Sequence, residues 1–144
     1  MHHASWVETY APLLPADHWR LDTLQRRTET WRRCLTGEGA VTVAEVAGTV
    51  VGIAFADVGR RVGERAPVRD RELYLLYVLA AHHGTGVGQA LLDVVVLPRH
   101  VPAQVWVAEH NPRARRFYER NDLLPDGARA PDEHLGLAVA RHVR

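Results

Sequence analysis

YLLYVLAAHHGTGVGQALL, residues Tyr74–Leu92, is the segment that determines the fold expected of this chain. It begins as an apolar run rich in aromatic and branched residues, a pattern typical of a buried strand. Glycines then interrupt the run at positions 84, 86 and 88, and apolar residues return at helical spacing from Val87 onward. The segment therefore predicts a strand, a glycine-rich turn and the first turn of a helix, in that order.

The predicted turn has the features of an anion-binding site. The first turn of a helix carries backbone N–H groups without intrahelical partners and the positive end of the helix dipole, so it favours a negative charge. Glycines permit backbone conformations with φ > 0 and let a ligand approach without a Cβ in the way. The pattern indicates either a phosphate or pyrophosphate site or a tight turn that binds nothing, and the glycines alone do not decide between them.

Two common phosphate motifs do not fit this turn. The dinucleotide fingerprint requires G-x-G-x-x-G, whereas the spacing that begins at Gly84 is G-x-G-x-G. The P-loop ends in Gly-Lys-Ser or Gly-Lys-Thr, but the chain contains no lysine, and all 18 of its Lys and Arg positions are arginine. The turn therefore matches neither of these two phosphate motifs.

His83–Gly88, HGTGVG, resembles the acyl-CoA-binding motif of the GNAT superfamily of N-acetyltransferases. In that family the pattern Arg/Gln-x-x-Gly-x-Gly/Ala follows a strand that ends in Val, and here Val78 lies five residues before His83. His83 departs from the usual Arg or Gln. The resemblance implies that acetyl-CoA binds here mainly through backbone amides. The cofactor-binding residues implied in this segment are Val78, His83, Gly84, Thr85, Gly86, Val87, Gly88 and Gln89.

A second segment, Trp106–Arg120 (WVAEHNPRARRFYER), resembles the second conserved block of the same family, W-V-x-x-x-N-x-x-A-x-x-F-Y. The two blocks in this order and spacing are more specific than either block alone. In the family the Asn contacts the cofactor and the Tyr points at the cofactor sulfur, which implies these roles for Asn111 and Tyr118. Asn111 followed by Pro112 also predicts a helix start, so the alternatives are a helix cap and a packed aromatic residue.

The sequence as a whole predicts one GNAT-like α/β domain over residues 1–144, with a mixed, mainly antiparallel sheet flanked by helices. Apolar residues at helical spacing predict the helices, and alternating apolar residues between turn signals predict the strands. The predicted helices cover residues 2–10, 17–35, 86–98 and a stretch from 111, and the predicted strands cover residues 40–47, 49–58, 72–79, 103–107, 123–129 and 135–143.

The N-terminal helix raises two questions. Trp6 and Tyr10 lie one turn apart on it, and they either pack in the core or line a substrate pocket. The family has a strand before this helix, whereas the chain starts within the helix, so the resemblance implies a missing first strand. One sheet edge would then be exposed, or it would be covered by the N-terminal helix or by a second copy in a homodimer.

The composition limits the classes of function. The formal net charge is +1, with 47% hydrophobic and 24% charged residues, so the bulk charge indicates no nucleic-acid partner. The single cysteine, Cys34, excludes an intramolecular disulfide. No secretory signal and no apolar run of about 18 residues is present, so we expect a cytoplasmic protein that does not bind membranes. His82 and His83 have no matching pair at metal-ligand spacing, so no metal is expected.

The resemblance implies an acyltransferase that moves an acetyl group from acetyl-CoA to a primary amine by direct attack, through a tetrahedral intermediate. Backbone N–H groups near Val78 would stabilise the oxyanion, and Tyr118 would assist the leaving thiolate. Glu72, at the start of the central strand, is the predicted base, while a solvated charge at the strand end is the alternative role for it. His110 and water are the competing bases.

The acceptor is left open by the motifs, because the variable first helices and loops recognise it in this fold. Small-molecule amines and peptide or protein amines are both compatible with the sequence. A catalytically degenerate domain that binds acyl-CoA as a sensor is the alternative function, which His83 and the short N-terminus favour. Release of free thiol from acetyl-CoA in the presence of amines distinguishes the two functions.

Overall fold

The computed structural model describes residues 1–35, 41–96, 99–132 and 136–144, and the elements below are those of the described residues. The predicted element ends at residues 40, 98 and 135 lie outside them. The helices are α1 (His2–Tyr10), α2 (His18–Leu21), α3 (Leu24–Leu35), α4 (Val87–Val95) and α5 (Pro112–Glu119), with a 3-10 turn at Ala80–His82. The strands are β1 (Thr42–Val46), β2 (Thr49–Val58), β3 (Arg71–Val78), β4 (Gln104–Ala108), β5 (Leu124–Asp132) and β6 (Leu137–Val143).

The six strands form one mixed sheet with the order β1-β2-β3-β4-β6-β5. The pairs β1 with β2, β4 with β6 and β5 with β6 are antiparallel, whereas β3 and β4 are parallel. The predicted fold class, an α/β fold with a mixed and mainly antiparallel sheet, is therefore confirmed. Within the described part of the chain α1 is the first element, and β1 is a sheet edge. That a second copy covers this edge stays a prediction.

The chain divides into two compact units. The first comprises Met1–Phe55 and Leu75–Val94, and the second comprises Ala56–Tyr74 and Val95–Arg144. The first unit contains α1 to α4, β1, most of β2 and the C-terminal half of β3. The second unit contains β4, α5, β5 and β6 together with the N-terminal half of β3.

The hairpin β1–β2 of the first unit forms where the sequence predicts it. Ala47 and Gly48 connect the strands with φ angles of 49° and 77°. Two consecutive positive φ values are the signature of the tight turn that matches the twist of antiparallel strands. Gly52 of β2 lies against α4, since a Cβ at this position would lie 2.8 Å from a methyl carbon of Leu91 and 3.2 Å from one of Val87.

The prediction of one continuous helix from Asp17 to residue 35 is wrong. The structure ends α2 at Leu21 and begins α3 at Leu24. Thr23 caps α3, because its hydroxyl accepts the backbone N–H of Arg26 at 3.3 Å. Asp22 accepts two hydrogen bonds from the Arg27 guanidinium, at 2.6 and 2.5 Å. The cap formed by Thr23 competes with helix continuation, and the chain forms two helices in place of one.

The apolar residues at helical spacing in this region do not all lie on a core face. The side chains of Leu24 and Leu35 are 63% and 64% exposed. Trp31, between them, is only partly buried, although its indole does contact α1. The helical period therefore predicts a helix correctly within α3, but it does not mark one buried face from end to end.

The second unit ends in the hairpin β5–β6, which confirms the predicted final hairpin. Burial does not alternate along β6, because the consecutive residues Val139, Ala140, Arg141 and His142 are all buried. The helix α5 stops at a left-handed residue, Asp122, with φ 63°. An aspartate tolerates this conformation better than most residues, so Asp122 replaces the glycine that commonly follows a helix.

Candidate functional site

The turn between β3 and α4 has the backbone conformation that the glycines predict. Gly84 and Gly86 have φ angles of 78° and 91°, which side chains with a Cβ rarely adopt. A Cβ built on either glycine meets no atom within 4 Å, so the space beside both residues is open to a ligand. The carbonyl of Gly86 accepts the first helical bond of α4, from the N–H of Ala90 at 3.0 Å. The N-terminus of α4 therefore begins at this glycine.

The turn is held by its own backbone and by one hydroxyl. The N–H of His82 donates to the carbonyl of Leu79 at 2.8 Å, and the N–H of His83 donates to that of Ala80 at 3.1 Å. Thr85 donates its hydroxyl to the carbonyl of His82 at 2.8 Å. Short-range bonds of this kind help to define the path of the chain into the cradle, a name used here for residues 83–88.

His83 turns its side chain back onto the strand. Its Nε2 lies 2.9 Å from the carbonyl oxygen of Val78, the last residue of β3. A carbonyl only accepts hydrogen bonds, so Nε2 carries the proton in this contact. The imidazole therefore ties the end of the strand to the start of the cradle.

The N–H groups that follow Val78 already have acceptors. Leu79 donates to the carbonyl of Val51 at 2.9 Å, and Ala80 donates to the Glu8 carboxylate at 2.9 Å. While they make these bonds, the N–H groups of Leu79 and Ala80 do not supply the predicted oxyanion donors near Val78. On the helix side, Gln89 donates its side-chain amide to Asp93 one turn further along α4, at 2.8 Å.

Sequence reasoning missed Glu8. The residue lies on α1 and is exposed, and it bonds to the N–H of Ala80, 72 positions away in the chain. No local pattern around an exposed glutamate on an amphipathic helix reveals such a partner, because the contact depends on how α1 packs in the first unit.

Trp6 and Tyr10, the predicted pocket residues, lie in an aromatic cluster of the first unit. Their rings are 4.5 Å apart, and the two side chains are 9% and 7% exposed. Tyr77 of β3 lies 5.9 Å from the Trp6 ring, and His2 lies 4.9 Å from the Tyr77 ring. This burial favours core packing, and the pocket role stays a prediction.

His2 is held neutral inside the aromatic cluster. The indole N–H of Trp31 donates to Nδ1 of His2 at 2.9 Å, so this nitrogen carries a lone pair. Burial, followed by the positive charge of Arg27, lowers the pKa of His2 to about 4. Arg27 itself stacks over the Trp6 ring, with its guanidinium carbon 3.8 Å from the ring centroid.

Glu72, the predicted base, is fully buried in the second unit, with 0% of its side chain exposed. Its carboxylate accepts the backbone N–H and the Nε–H of Arg60 at 3.1 and 3.0 Å, and the amide of Gln104 at 2.6 Å. Gln104 in turn accepts the backbone N–H groups of Val68 and Arg69. Three donors on one buried carboxylate favour a structural role, which fastens a loop to β3, and the base role stays a prediction.

Asn111 and Tyr118 lie at the start and near the end of α5 in the second unit. The side-chain oxygen of Asn111 accepts the N–H of Ala114 at 3.0 Å, and Pro112 occupies the first helical position. The predicted helix cap is therefore confirmed. Tyr118 is 6% exposed, and its ring packs against Phe117 at 5.4 Å between centroids. The cofactor roles of both residues stay predictions.

His142 packs near Tyr118 and was not singled out from the sequence. The two ring centroids are 6.5 Å apart, and Nδ1 of His142 donates to the carbonyl of Leu123 at 3.1 Å. Burial lowers the pKa of His142, although the bond to Leu123 acts in the opposite direction. His110, a competing base, is exposed. The structure thus places a neutral imidazole beside the tyrosine.

The predicted site residues fall into two groups by unit. Trp6, Tyr10, Val78 and residues 83–89 belong to the first unit, whereas Glu72, Asn111 and Tyr118 belong to the second. Among the described residues, no group of three or more His, Cys, Asp or Glu side chains could hold a metal ion. No helix in the ranges covered by the structure has the length and apolar character needed to cross a membrane.

Comparison with known proteins decides the family. A family model described as the acetyltransferase (GNAT) family matches residues 2–122. The chain belongs to the GNAT acetyltransferase family. An uncharacterised N-acetyltransferase of Archaeoglobus fulgidus is 38% identical to this GNAT protein over 88 residues. The match covers 58% of each chain, so the GNAT protein spans less than two thirds of that relative.

Solved structures show the same fold. An N-acetyltransferase of Staphylococcus aureus Mu50 matches with a TM-score of 0.66 at 15% identity, covering 99% of this chain and 91% of that chain. The PaiA N-acetyltransferase of Thermoplasma acidophilum, solved in complex with coenzyme A, matches with a TM-score of 0.61 at 16% identity. That match covers 96% of this chain and 86% of the other. At these identities the likeness concerns the fold alone.

Proposed function

We propose that this GNAT protein transfers an acetyl group from acetyl-CoA to a primary amine. The observation that carries the proposal is the cradle, where Gly84 and Gly86 adopt positive φ angles beside open space at the N-terminus of α4. A pyrophosphate would accept hydrogen bonds from the N–H groups of the first turn and would be favoured by the helix dipole. The family and the coenzyme A complex of a fold neighbour support the same ligand.

The proposed reaction balances without any further reactant. A neutral amine nitrogen attacks the thioester carbonyl, a new N–C bond forms, and the carbonyl electron pair moves to the oxygen. Collapse of this tetrahedral intermediate restores the carbonyl and breaks the C–S bond. The nitrogen loses one proton and the departing sulfur gains one, so the products are an acetamide and the thiol of CoA.

The amine must lose its proton before it attacks. An alkylamine has a pKa near that of Lys, about 10.4, so the neutral form at pH 7 costs roughly 4 to 5 kcal/mol. To act as the base, Glu72 would have to give up its hydrogen bonds from the side-chain nitrogens of Arg60 and Gln104, which lie 3.0 and 2.6 Å from its carboxylate oxygens. Proton transfer from the amine to water requires no such rearrangement. We therefore propose water as the immediate proton acceptor, and a Glu72→Gln variant tests the carboxylate.

Two residues of α5 take the roles implied by the resemblance. We propose that Asn111 contacts the cofactor and that the Tyr118 hydroxyl stabilises the departing sulfur. The helix cap uses one oxygen of the Asn111 side chain, and its amide nitrogen is a different group with two further donors. The side chain can therefore both cap α5 and donate to a ligand.

The test is release of free thiol from acetyl-CoA, measured with and without a panel of primary amines that includes 1,5-diaminopentane, free amino acids and a short peptide with a free N-terminus. Amine-dependent thiol release, with an acetyl mass gain on the amine, is the expected result. Calorimetric binding of CoA without turnover on any amine would instead favour the sensor function. Absence of CoA binding would overturn both.

A further inference from the structure

One acidic side chain in the first unit is fixed beside the cradle but is not used by the proposed chemistry. The carboxylate of Glu8 on α1 accepts the backbone N–H of Ala80 at 2.9 Å, and both residues are exposed. Ala80 begins the 3-10 turn that leads from β3 into the cradle, two residues after Val78 and four before Gly84. The bond therefore fixes a carboxylate at the 3-10 turn between β3 and the cradle.

Among the side chains that the structure describes, the ion pairs involve other acids, and none involves Glu8. An ionised carboxylate has about four lone-pair positions, and the N–H of Ala80 occupies one. The remaining positions face solvent, so the group is oriented and still able to accept donors from a ligand.

We propose that Glu8 binds the ammonium group of the acceptor amine. The inference rests on the proposed function and names its substrate class: an amine that arrives as a cation and forms a charge-assisted hydrogen bond before it is deprotonated. The bond to Ala80 already restricts the rotamers of Glu8. Less side-chain entropy is therefore lost when an ammonium group binds, which favours that contact. A neutral amine could donate an N–H to the carboxylate but would lack the attraction between opposite charges, so it should bind more weakly.

A purely structural role makes a different prediction. If Glu8 only anchors α1 at Ala80, a glutamine in its place keeps the bond, because a carboxamide oxygen also accepts an N–H. Glu8→Gln therefore removes the charge and preserves the anchor. Glu45→Gln is the matched control, since Glu45 is an exposed glutamate on β1 and the substitution changes the net charge equally.

The experiment measures equilibrium binding of 1,5-diaminopentane by calorimetry to protein saturated with CoA, for the native chain and both variants. We expect Glu8→Gln to weaken amine binding on the order of 5- to 10-fold, with CoA affinity and the melting temperature unchanged. Glu45→Gln is expected to bind like the native protein. Raised salt is expected to weaken amine binding to the native protein more than to Glu8→Gln.

The outcomes separate this inference from the proposed function. Amine binding that depends on Glu8 but is followed by no acetyl transfer would remove the proposed function and leave the inference in place. Three results would each overturn the inference about Glu8. They are equal amine binding by native protein and Glu8→Gln, equal losses of amine binding in both variants, and no amine binding to the CoA-loaded native protein. A raised KM for the amine with an unchanged kcat is the corresponding kinetic result in Glu8→Gln.

Discussion

The imidazole Nε2 of His83 lies 2.9 Å from the carbonyl oxygen of Val78, so the residue that opens the cradle is bonded to the last residue of β3. The family usually has Arg or Gln at this position. A histidine in this rotamer bonds to the protein's own strand end. The departure from the family pattern thus has a physical role within the first unit, which is to hold the cradle in register with β3.

The His83 contact predicts a selective loss of cofactor affinity. His83→Ala removes the bond to Val78 and should weaken CoA binding about 2- to 10-fold, the range expected for one net neutral hydrogen bond. His83→Gln retains a side-chain N–H donor and should lose less CoA affinity than His83→Ala. His100→Ala, at an exposed turn of the second unit, is the control. Calorimetry with CoA checks the prediction, and unchanged affinity in His83→Ala would assign the side chain no role in the cradle.

A carboxylate in the cradle should abolish most of the CoA affinity. Gly86→Asp imposes a Cβ at φ 91° and brings a negative charge to the pyrophosphate position, so we expect a loss of more than tenfold. Gly127→Asp is a closely matched control, because Gly127 has φ 85° and open space around it but lies in β5. Calorimetry on both variants should show the loss only at Gly86. Equal affinities would remove the cradle assignment.

Glu72 is expected to act on stability more than on chemistry. Glu72→Gln removes the charge that pairs with the half-exposed Arg60, and we expect the free energy of unfolding to fall by about 2 kcal/mol, because the buried carboxylate loses its charge-assisted hydrogen bonds. Urea unfolding measures this loss. The pH–rate profile should keep its native shape. A rate defect that is largest at low pH and recovers as the pH rises would restore Glu72 as the base.

The pH dependence of stability should reveal the buried His2. Its pKa is about 4 in the folded chain, below the ordinary value of 6.5, so the unfolded chain binds more protons between these values. The contribution of His2 to the free energy of unfolding is therefore fully present above pH 6.5. It is lost as the pH falls from 6.5 toward 4, by at most about 3 kcal/mol. His2→Asn should flatten this part of the curve, measured by urea unfolding at pH 7 and pH 5.

Local signals in the sequence predict the parts of the fold that local interactions build. Ala47-Gly48 predicts a hairpin because the turn itself decides the strand pairing, and Asn111-Pro112 predicts the start of α5 because the cap bond spans three residues. The cap at Thr23 is also local, but the apolar residues at helical spacing on both sides of it predict one helix where the structure has α2 and α3.

Contacts between distant residues explain most of what the sequence could not predict. Glu72 bonds to Gln104 across 32 positions, and Glu8 bonds to Ala80 across 72. Both acids look like solvated charges in their own segments. Their burial or anchoring depends on which strands and helices become neighbours, and neither hydrophobic period nor motif spacing encodes that for a single polar side chain. The two motif blocks were more informative because their chemistry lies within each block.

Tyr118 provides the sharpest test of the transfer step. The side chain is 6% exposed and its ring packs against Phe117, so Tyr118→Phe keeps the packing and removes only the hydroxyl. A phenol has a pKa about 10 and a thiol about 8.5, so full proton transfer to the thiolate is uphill by about 2 kcal/mol. We therefore expect the hydroxyl to stabilise the sulfur mainly by a charge-assisted hydrogen bond that strengthens in the transition state.

Tyr118→Phe should accordingly lower the single-turnover rate by on the order of 10²-fold, the lower end for a general acid, while CoA affinity changes by less than about tenfold. Tyr74→Phe is the control, because the Tyr74 hydroxyl donates to the carbonyl of Val58 in the same unit and has no proposed part in the reaction. Single-turnover measurement separates chemistry from product release. A rate in Tyr118→Phe equal to that of the control would leave Tyr118 as helix packing, and the leaving sulfur would then take its proton from water.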